Sequence, residues 1–309
     1  MTATYMNSSV PFMYDSYPAV APERFQGQLQ GKTAIVTGGS SGIGRAVCKA
    51  FASAGASVAC IARREPRLKT LVDEIKAEGG KAIPLAVDIS EKDAAKKIVS
   101  QVEAELGPVD ILVNVAGIAR LGPLVDEPED LDIWWKVHEV NVRAPALLTR
   151  AVLPSMIERK SGAVISVSSV VATWPSPIQT AYASSKAAIS KFHESLAAEL
   201  EGTGVLSFAL NPGSVESELG APDDAINTAS QHPMLEKMRQ MLKSPRKKQT
   251  AQLPADVCVA LVCDPRCKVL NGRHVEAAQD LSPVLEEAEK EGGGRIGKDR
   301  LYLVNIGIL

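Results

Sequence analysis

The chain has 309 residues, 45% of them hydrophobic and 23% charged, with a formal net charge of −2. That length holds one large α/β domain or two small ones, and one domain with extensions is the expectation. The near-neutral balance gives no electrostatic ground for nucleic acid or an anionic membrane as partner, and no run reaches the ~18 apolar residues of a membrane span, so a small-molecule ligand is expected.

Five cysteines, Cys48, Cys60, Cys258, Cys263 and Cys267, form an odd set with no secretory leader before them. A reducing, cytoplasmic setting is expected from that pattern. The last three lack the paired C-x₂-C spacing of zinc sites and have no histidine among them, so no metal is expected.

Residues 1–30 show no helix or strand period and carry several prolines, which marks an arm outside the domain. Yet Tyr5, Phe12, Tyr14, Tyr17 and Phe25 are five of the chain's thirteen aromatic residues, so part of the arm is expected to pack on the body or on a second subunit. From Lys32 the pattern becomes "KTAIVTGG", then "IGRAVCKAFASAG" with helical spacing, then "SVACIAR". That is strand, glycine turn, helix and strand, a βαβ unit.

The alternation continues with a helix at "LKTLVDEIKAEG", a strand at "KAIPLAVDI", a helix at "DAAKKIVSQVEAELG" and a strand at "VDILVNVAG". Further helices are expected around 132–158, 179–201 and 255–264, with strands at "GAVISVSS", "GVLSFALNPG" and "NGRHVEA". Strands and helices taking turns predict an α/β fold, a single doubly wound parallel sheet of about seven strands with helices on both faces. The expected domain is 31–279, with a polar insertion at 214–250 as a substrate lid and a tail at 280–309 carrying a helix at "PVLEEAEKEGG". The basic run "KSPRKK" reads as solvated lid surface in preference to a nucleic-acid patch.

"TGGSSGIG", residues 37–44, lies after the first strand and opens the first helix. Gly38, Gly42 and Gly44 permit a tight turn and close backbone approach, while the helix N-terminus offers free N–H groups to a phosphate, in a turn that also holds Ser40, Ser41 and Ile43. No lysine follows as a nucleoside-triphosphate loop requires. At the end of the second strand a carboxylate would bind the adenosine ribose, but "CIARRE" puts Arg63 and Arg64 there. Two guanidinium groups suit a 2′-phosphate, so NADP(H) is expected over NAD(H).

In "TAYASSK", Tyr182 and Lys186 stand one helical turn apart on one face. Adding hydride to a ketone leaves an alkoxide that needs an acid, and a nearby ammonium together with the positive nicotinamide of NADP⁺ lowers a phenol's pKa toward that task. "VVATWPSPIQ" offers Trp174 and Ile178 as pocket walls, Ile118 and Leu121 follow "NVAG", and Leu219 begins the lid, so a fairly large apolar or aromatic carbonyl compound suits the site.

Together "TGGSSGIG", "NVAG" at 114–117, "SVSS" at 166–169, "YASSK" and "NPGSV" at 211–215 resemble the short-chain dehydrogenase/reductase family, in the family's order, over about residues 30–278. The resemblance implies a tetrad of Asn141, Ser169, Tyr182 and Lys186, Ser169 preceding Tyr182 by the family's thirteen residues. It implies a cofactor surface formed by the glycine turn, Arg63, Arg64, Asp88, Ile89, Asn114, Ala116, Gly117, Tyr182, Lys186, Pro212, Gly213, Val215 and Ser217, with Asp88 at the adenine end. Lys186 would also bind the nicotinamide ribose. Two departures stand out: Val115 replaces a polar residue that braces the sheet, and Ser217 stands for the usual threonine. The implied activity is NADP(H)-dependent reduction of a ketone or aldehyde, reversible to alcohol oxidation, by a homo-oligomer. The alternatives are an NAD-dependent alcohol dehydrogenase, with both arginines in solvent, and a non-catalytic NADP(H)-binding redox sensor.

Overall fold

The strands are near-continuous apolar runs because both of their faces are covered, the pattern of a parallel sheet wrapped by helices. β1 (Thr33–Thr37) and β4 (Ile111–Asn114) are buried at every position. In this computed structural model, residues 10–216, 218–220, 225–243, 247–294 and 296 are described. Seven strands form one sheet in the order β3-β2-β1-β4-β5-β6-β7, every pair parallel. The others are β2 (Ser57–Ala62), β3 (Lys81–Ala86), β5 (Gly162–Val167), β6 (Val205–Asn211) and β7 (His274–Glu276). The strand order reverses between β1 and β4, and a crevice opens beyond their carboxyl ends, the usual ligand position in such sheets.

Alternate residues of each strand face opposite layers. Ala34 and Val36 join a core with α1 (Gly42–Ser53), α2 (Glu65–Ala77) and α8 (Gln252–Cys263). Ile35 points the other way, into a core with α3 (Ala94–Leu106), α5 (Ala144–Glu158) and α6 (Thr180–Glu199). The long helix expected around 132–158 is interrupted: α4 (Asp132–His138) passes through a π-helical turn, Glu139–Arg143, before α5 begins. Inside the expected lid lies α7 (Pro233–Lys243), and the tail forms α9 (Leu281–Ala288).

The boundary expected at residue 30 is not where packing changes. Tyr17, Val20, Phe25 and Leu29 are buried in the first core beside α1 and α8, and Leu281, Val284 and Leu285 of α9 join the same core. Tyr17 donates its hydroxyl to Gln279 O at 3.1 Å and accepts from Leu281 N at 3.1 Å, so the arm and the segment after β7 are stitched together. Tyr5 lies outside the described residues. Cys48, Cys60, Cys258 and Cys267 are buried, and burial raises the thiol pKa of Cys267 to about 12. Among the described residues no helix is long and apolar enough to cross a membrane.

Candidate functional site

The glycine turn joins β1 to α1, whose first residue is Gly42. Gly38 has a φ of +74°, which favours glycine, and a Cβ there would lie 2.9 Å from Ala116 N. A Cβ on Gly44 would lie 2.2 Å from Gly38 O. The turn is thus folded onto the helix start, leaving the first N–H groups of α1 at the crevice. Thr37 Oγ1 accepts from Val115 N at 3.0 Å and Ala116 N at 3.1 Å, so the main chain around Val115 is braced without a polar side chain at that position. Asn114 donates to Ser166 Oγ at 3.2 Å, while its buried Oδ1 has no protein partner. A free acceptor beside a closed glycine turn fits a nucleotide cofactor.

At the β2 end, Arg64 donates to Ser40 Oγ and Ser41 Oγ, both at 3.0 Å, and so lies on the glycine turn. It also pairs with Glu218 of the lid at 2.6 Å, as Arg67 does at 2.7 Å. Arg63 acts on Asp88. Burial pushes the Asp88 carboxyl up, but hydrogen bonds from Ser90 and the charges of Arg63 and Lys136 hold it below the ordinary carboxylate value. Ile89, beside Asp88, is buried in the second core.

The π-turn carries Asn141, which is 2% exposed. Pro145, four residues on, has no N–H to give to the Asn141 carbonyl, and Ala144 N–H instead reaches Glu139 O, the five-residue step of a π-turn. The Asn141 side chain accepts from Ile118 N at 2.9 Å and donates to Ile118 O at 2.9 Å and Ser185 Oγ at 3.0 Å. These bonds commit the amide to the loop after β4 and to α6. Gly117 lies close to both Asn141 and Lys186: a Cβ there would lie 3.2 Å from Asn141 Oδ1 and 3.6 Å from Lys186 Nζ.

On α6, Lys186 Nζ donates to Val167 O at 2.7 Å and lies 5.6 Å from the centre of the Tyr182 ring. Ser169, just past β5, accepts weakly from Val171 N at 3.4 Å and lies beside Tyr182, whose ionised form it favours. Burial pushes the phenol up to about 12, partly opposed by Ser169, and pushes Lys186 down to about 8. Desolvation outweighs the mutual attraction here because neither group gains a full counter-charge.

Of the expected substrate residues, Ile178 is buried with Leu121 and Leu235 of α7, at a φ of +60°, a strained backbone for a β-branched residue. Trp174 is 42% exposed and lines an apolar cavity of about 270 Å³ with Val170, Pro177, Met234 and Met238. Ile118 instead packs on the second core, and Leu219 lies on the lid's short helix, half-buried. A larger depression of about 490 Å³, around Gly204 and Arg273, lies at the opposite end of β6 and holds none of the site residues. Pro212, Gly213 and Val215 follow β6, and Ser217 lies outside the described residues.

Sequence reasoning passed over Ser185, Thr37, Gln249, Arg120 and Glu127. Gln249 accepts from Ser214 N at 2.7 Å and donates to Met13 O at 3.3 Å, tying the loop after β6 to the arm. Arg120 pairs with Glu127 at 2.9 Å, the side chains only 7% and 1% exposed. Among the described residues no cluster of histidine, cysteine, aspartate or glutamate is arranged to hold a metal ion.

The family model for short chain dehydrogenase matches residues 32–226. A short chain dehydrogenase from Monascus ruber, pigC, is 31% identical over 280 residues, covering 88% of this chain and 86% of its own. The 3-oxoacyl-(acyl-carrier-protein) reductase FabG of Thermotoga maritima is 36% identical over 204 residues, covering 65% of this chain and 82% of its own. Among solved structures, a protein from Beutenbergia cavernae described as an NAD(P) dependent gluconate 5-dehydrogenase, with NADP bound at low occupancy, aligns with a TM-score of 0.69 at 29% identity, covering 82% of this chain and 96% of its own. A metagenomic short-chain oxidoreductase in complex with NADP aligns at 0.63 and 32% identity, covering 76% of this chain and 92% of its own.

Proposed function

The chain belongs to the short-chain dehydrogenase/reductase family and is an oxidoreductase acting on CH–OH or C=O groups with a nicotinamide cofactor, and from that premise we propose that it reduces a ketone or aldehyde with NADP(H). The observation that carries the reading is the convergence of Ser169, Tyr182 and Lys186 beside the glycine turn, backed by Asn141 on its π-turn.

The cofactor supplies the hydride. Ser169 hydrogen-bonds the substrate oxygen, and Tyr182 gives it a proton. A phenol held near 12 is fully protonated at neutral pH, the loaded state a reductive step requires. Lys186, already tied to Val167 O, lies close enough to stabilise the phenolate that results. Arg64 on the glycine turn and Arg63 beside Asp88 support the preference for a 2′-phosphate, and relatives with NADP bound support a nicotinamide cofactor. The apolar cavity at Trp174 and the Ile178, Leu121 and Leu235 cluster suit an apolar or aromatic carbonyl compound. Ile133 and Trp135 on α4 and Ile157 on α5 are exposed, which suits a homo-oligomer that covers them. The absence of pairing among the cysteines suits a cytoplasmic enzyme.

The test is oxidation of NADPH and NADH against a panel of ketones, quinones and alcohols. Tyr182→Phe is expected to lower turnover by about 10²- to 10⁴-fold, while 2′,5′-ADP binds as before. Turnover that survives the substitution removes Tyr182 from the proton step. Arg63→Ala is expected to weaken NADPH far more than NADH, and equal effects favour the NAD reading.

A further inference from the structure

The strand order makes the Arg64–Glu218 contact unusual. Arg64 follows β2 and Glu218 follows β6, and β1, β4 and β5 lie between those strands. Four strand spacings of ~4.8 Å separate their ends by about 19 Å. Glu218 comes seven residues after Asn211, the last residue of β6, and seven extended residues reach only about 24 Å. Glu218 therefore lies across the carboxyl ends of the sheet from β6, on the arginine that holds the glycine turn.

Every nitrogen of the Arg64 guanidinium is engaged: Nε and Nη2 donate to Ser40 Oγ, Nη2 also to Ser41 Oγ, and Nη1 to Glu218 Oε2. Arg67 Nη1 donates to both Glu218 oxygens, at 2.7 and 3.0 Å. Glu218 thus occupies an anion site of two arginines, and their hydrogen bonds hold its carboxyl below the ordinary value.

We propose that Glu218 is a specificity-determining latch: its carboxylate competes with the cofactor's 2′-phosphate for Arg64 and Arg67, so a phosphorylated cofactor releases the strap while an unphosphorylated one leaves it fastened. This rests on the NADP(H) reading of Arg64. The pairs are half-exposed, 44% and 50% for Arg64 and Glu218, so the latch is weak enough for a dianion to displace. It makes the choice of cofactor and the freedom of the loop after β6 a single equilibrium, because the same guanidinium serves both.

The test is calorimetric binding of 2′,5′-ADP and 5′-AMP to the wild type, Glu218→Gln and Glu216→Gln. Glu216 is two residues away, 85% exposed and 3.6 Å from Lys248, so its variant removes the same charge without touching the arginines. The expected result is that Glu218→Gln binds 2′,5′-ADP about three- to tenfold more tightly, with 5′-AMP unchanged and Glu216→Gln like the wild type. Unchanged 2′,5′-ADP binding in Glu218→Gln, equal tightening of 5′-AMP, or equal tightening in Glu216→Gln overturns the latch while leaving the cofactor reading intact. A wild type that binds the two nucleotides equally well overturns the 2′-phosphate reading, and the latch with it.

Discussion

Gly44→Ala tests whether the glycine turn and the start of α1 are as tightly closed as the structure has them. The added Cβ would lie 2.2 Å from Gly38 O, 2.6 Å from Gly38 C and 3.1 Å from Gly39 N, all main-chain atoms that cannot rotate away. Ordinary contact begins near 3.4 Å, so the helix start and the turn must separate by roughly 1.2 Å. Overpacking on that scale costs about 1–3 kcal/mol, and at 2–4 °C per kcal/mol for a domain of this class the melting temperature falls by about 2–12 °C. The same displacement moves the N–H groups that would hold the cofactor's phosphates, so 2′,5′-ADP affinity falls as well. Gly39→Ala is the internal comparison, because its nearest neighbour is a side-chain atom, Cys48 Sγ at 3.1 Å, and its effect is expected to be smaller. Thermal melts and calorimetry on both variants check this. A Gly44→Ala protein with the wild-type melting temperature and nucleotide affinity refutes the closed turn.

Burial lowers the Lys186 ammonium from its ordinary 10.5 to about 8. Between those values the unfolded chain binds the extra proton, so stability rises with pH through that window, and the wild type gains roughly 2–3 kcal/mol over Lys186→Met between pH 7.5 and 10. Denaturant melts at the two pH values measure it, and a constant difference removes the buried ammonium from the account. Arg120→Ala leaves Glu127, 1% exposed at its side chain, as a buried unpaired charge, and is expected to cost about 3–5 kcal/mol. A loss below 1 kcal/mol in urea unfolding shows that water or another cation reaches the site.

The sheet was legible because parallel strands covered on both faces must be apolar throughout, and "KTAIVTGG" or "VDILVNVAG" can be little else. The π-turn was also written in the chain, since Pro145 follows Asn141 by the four residues of an α-helical hydrogen bond, although the apolar period alone runs on through 132–158 as one helix. The aromatics of the arm pointed to packing on the body or a second subunit, but their partners were not legible because they follow no period: those partners lie beyond β7, and no local window contains both. Glu218 and Arg67 carry no sequence signal of their pairing, because the sheet order brings together residues 151 positions apart. At Tyr182 residue spacing conveys the neighbour but not the depth of burial, which raises the phenol.

The pairing of Tyr17 with Gln279 and Leu281 has a consequence for biosynthesis. The hydroxyl and its main-chain acceptor and donor are separated by more than 260 residues. At 5–20 residues per second the ribosome needs roughly 15–50 s to cover that distance. Throughout that interval Tyr17 lacks its hydrogen-bond partners, and once it has left the exit tunnel it is open to a chaperone or a protease. The bonds that seal the arm are therefore among the last native contacts a nascent chain can make, and their protection in pulse-labelled hydrogen exchange reports that translation has passed residue 281.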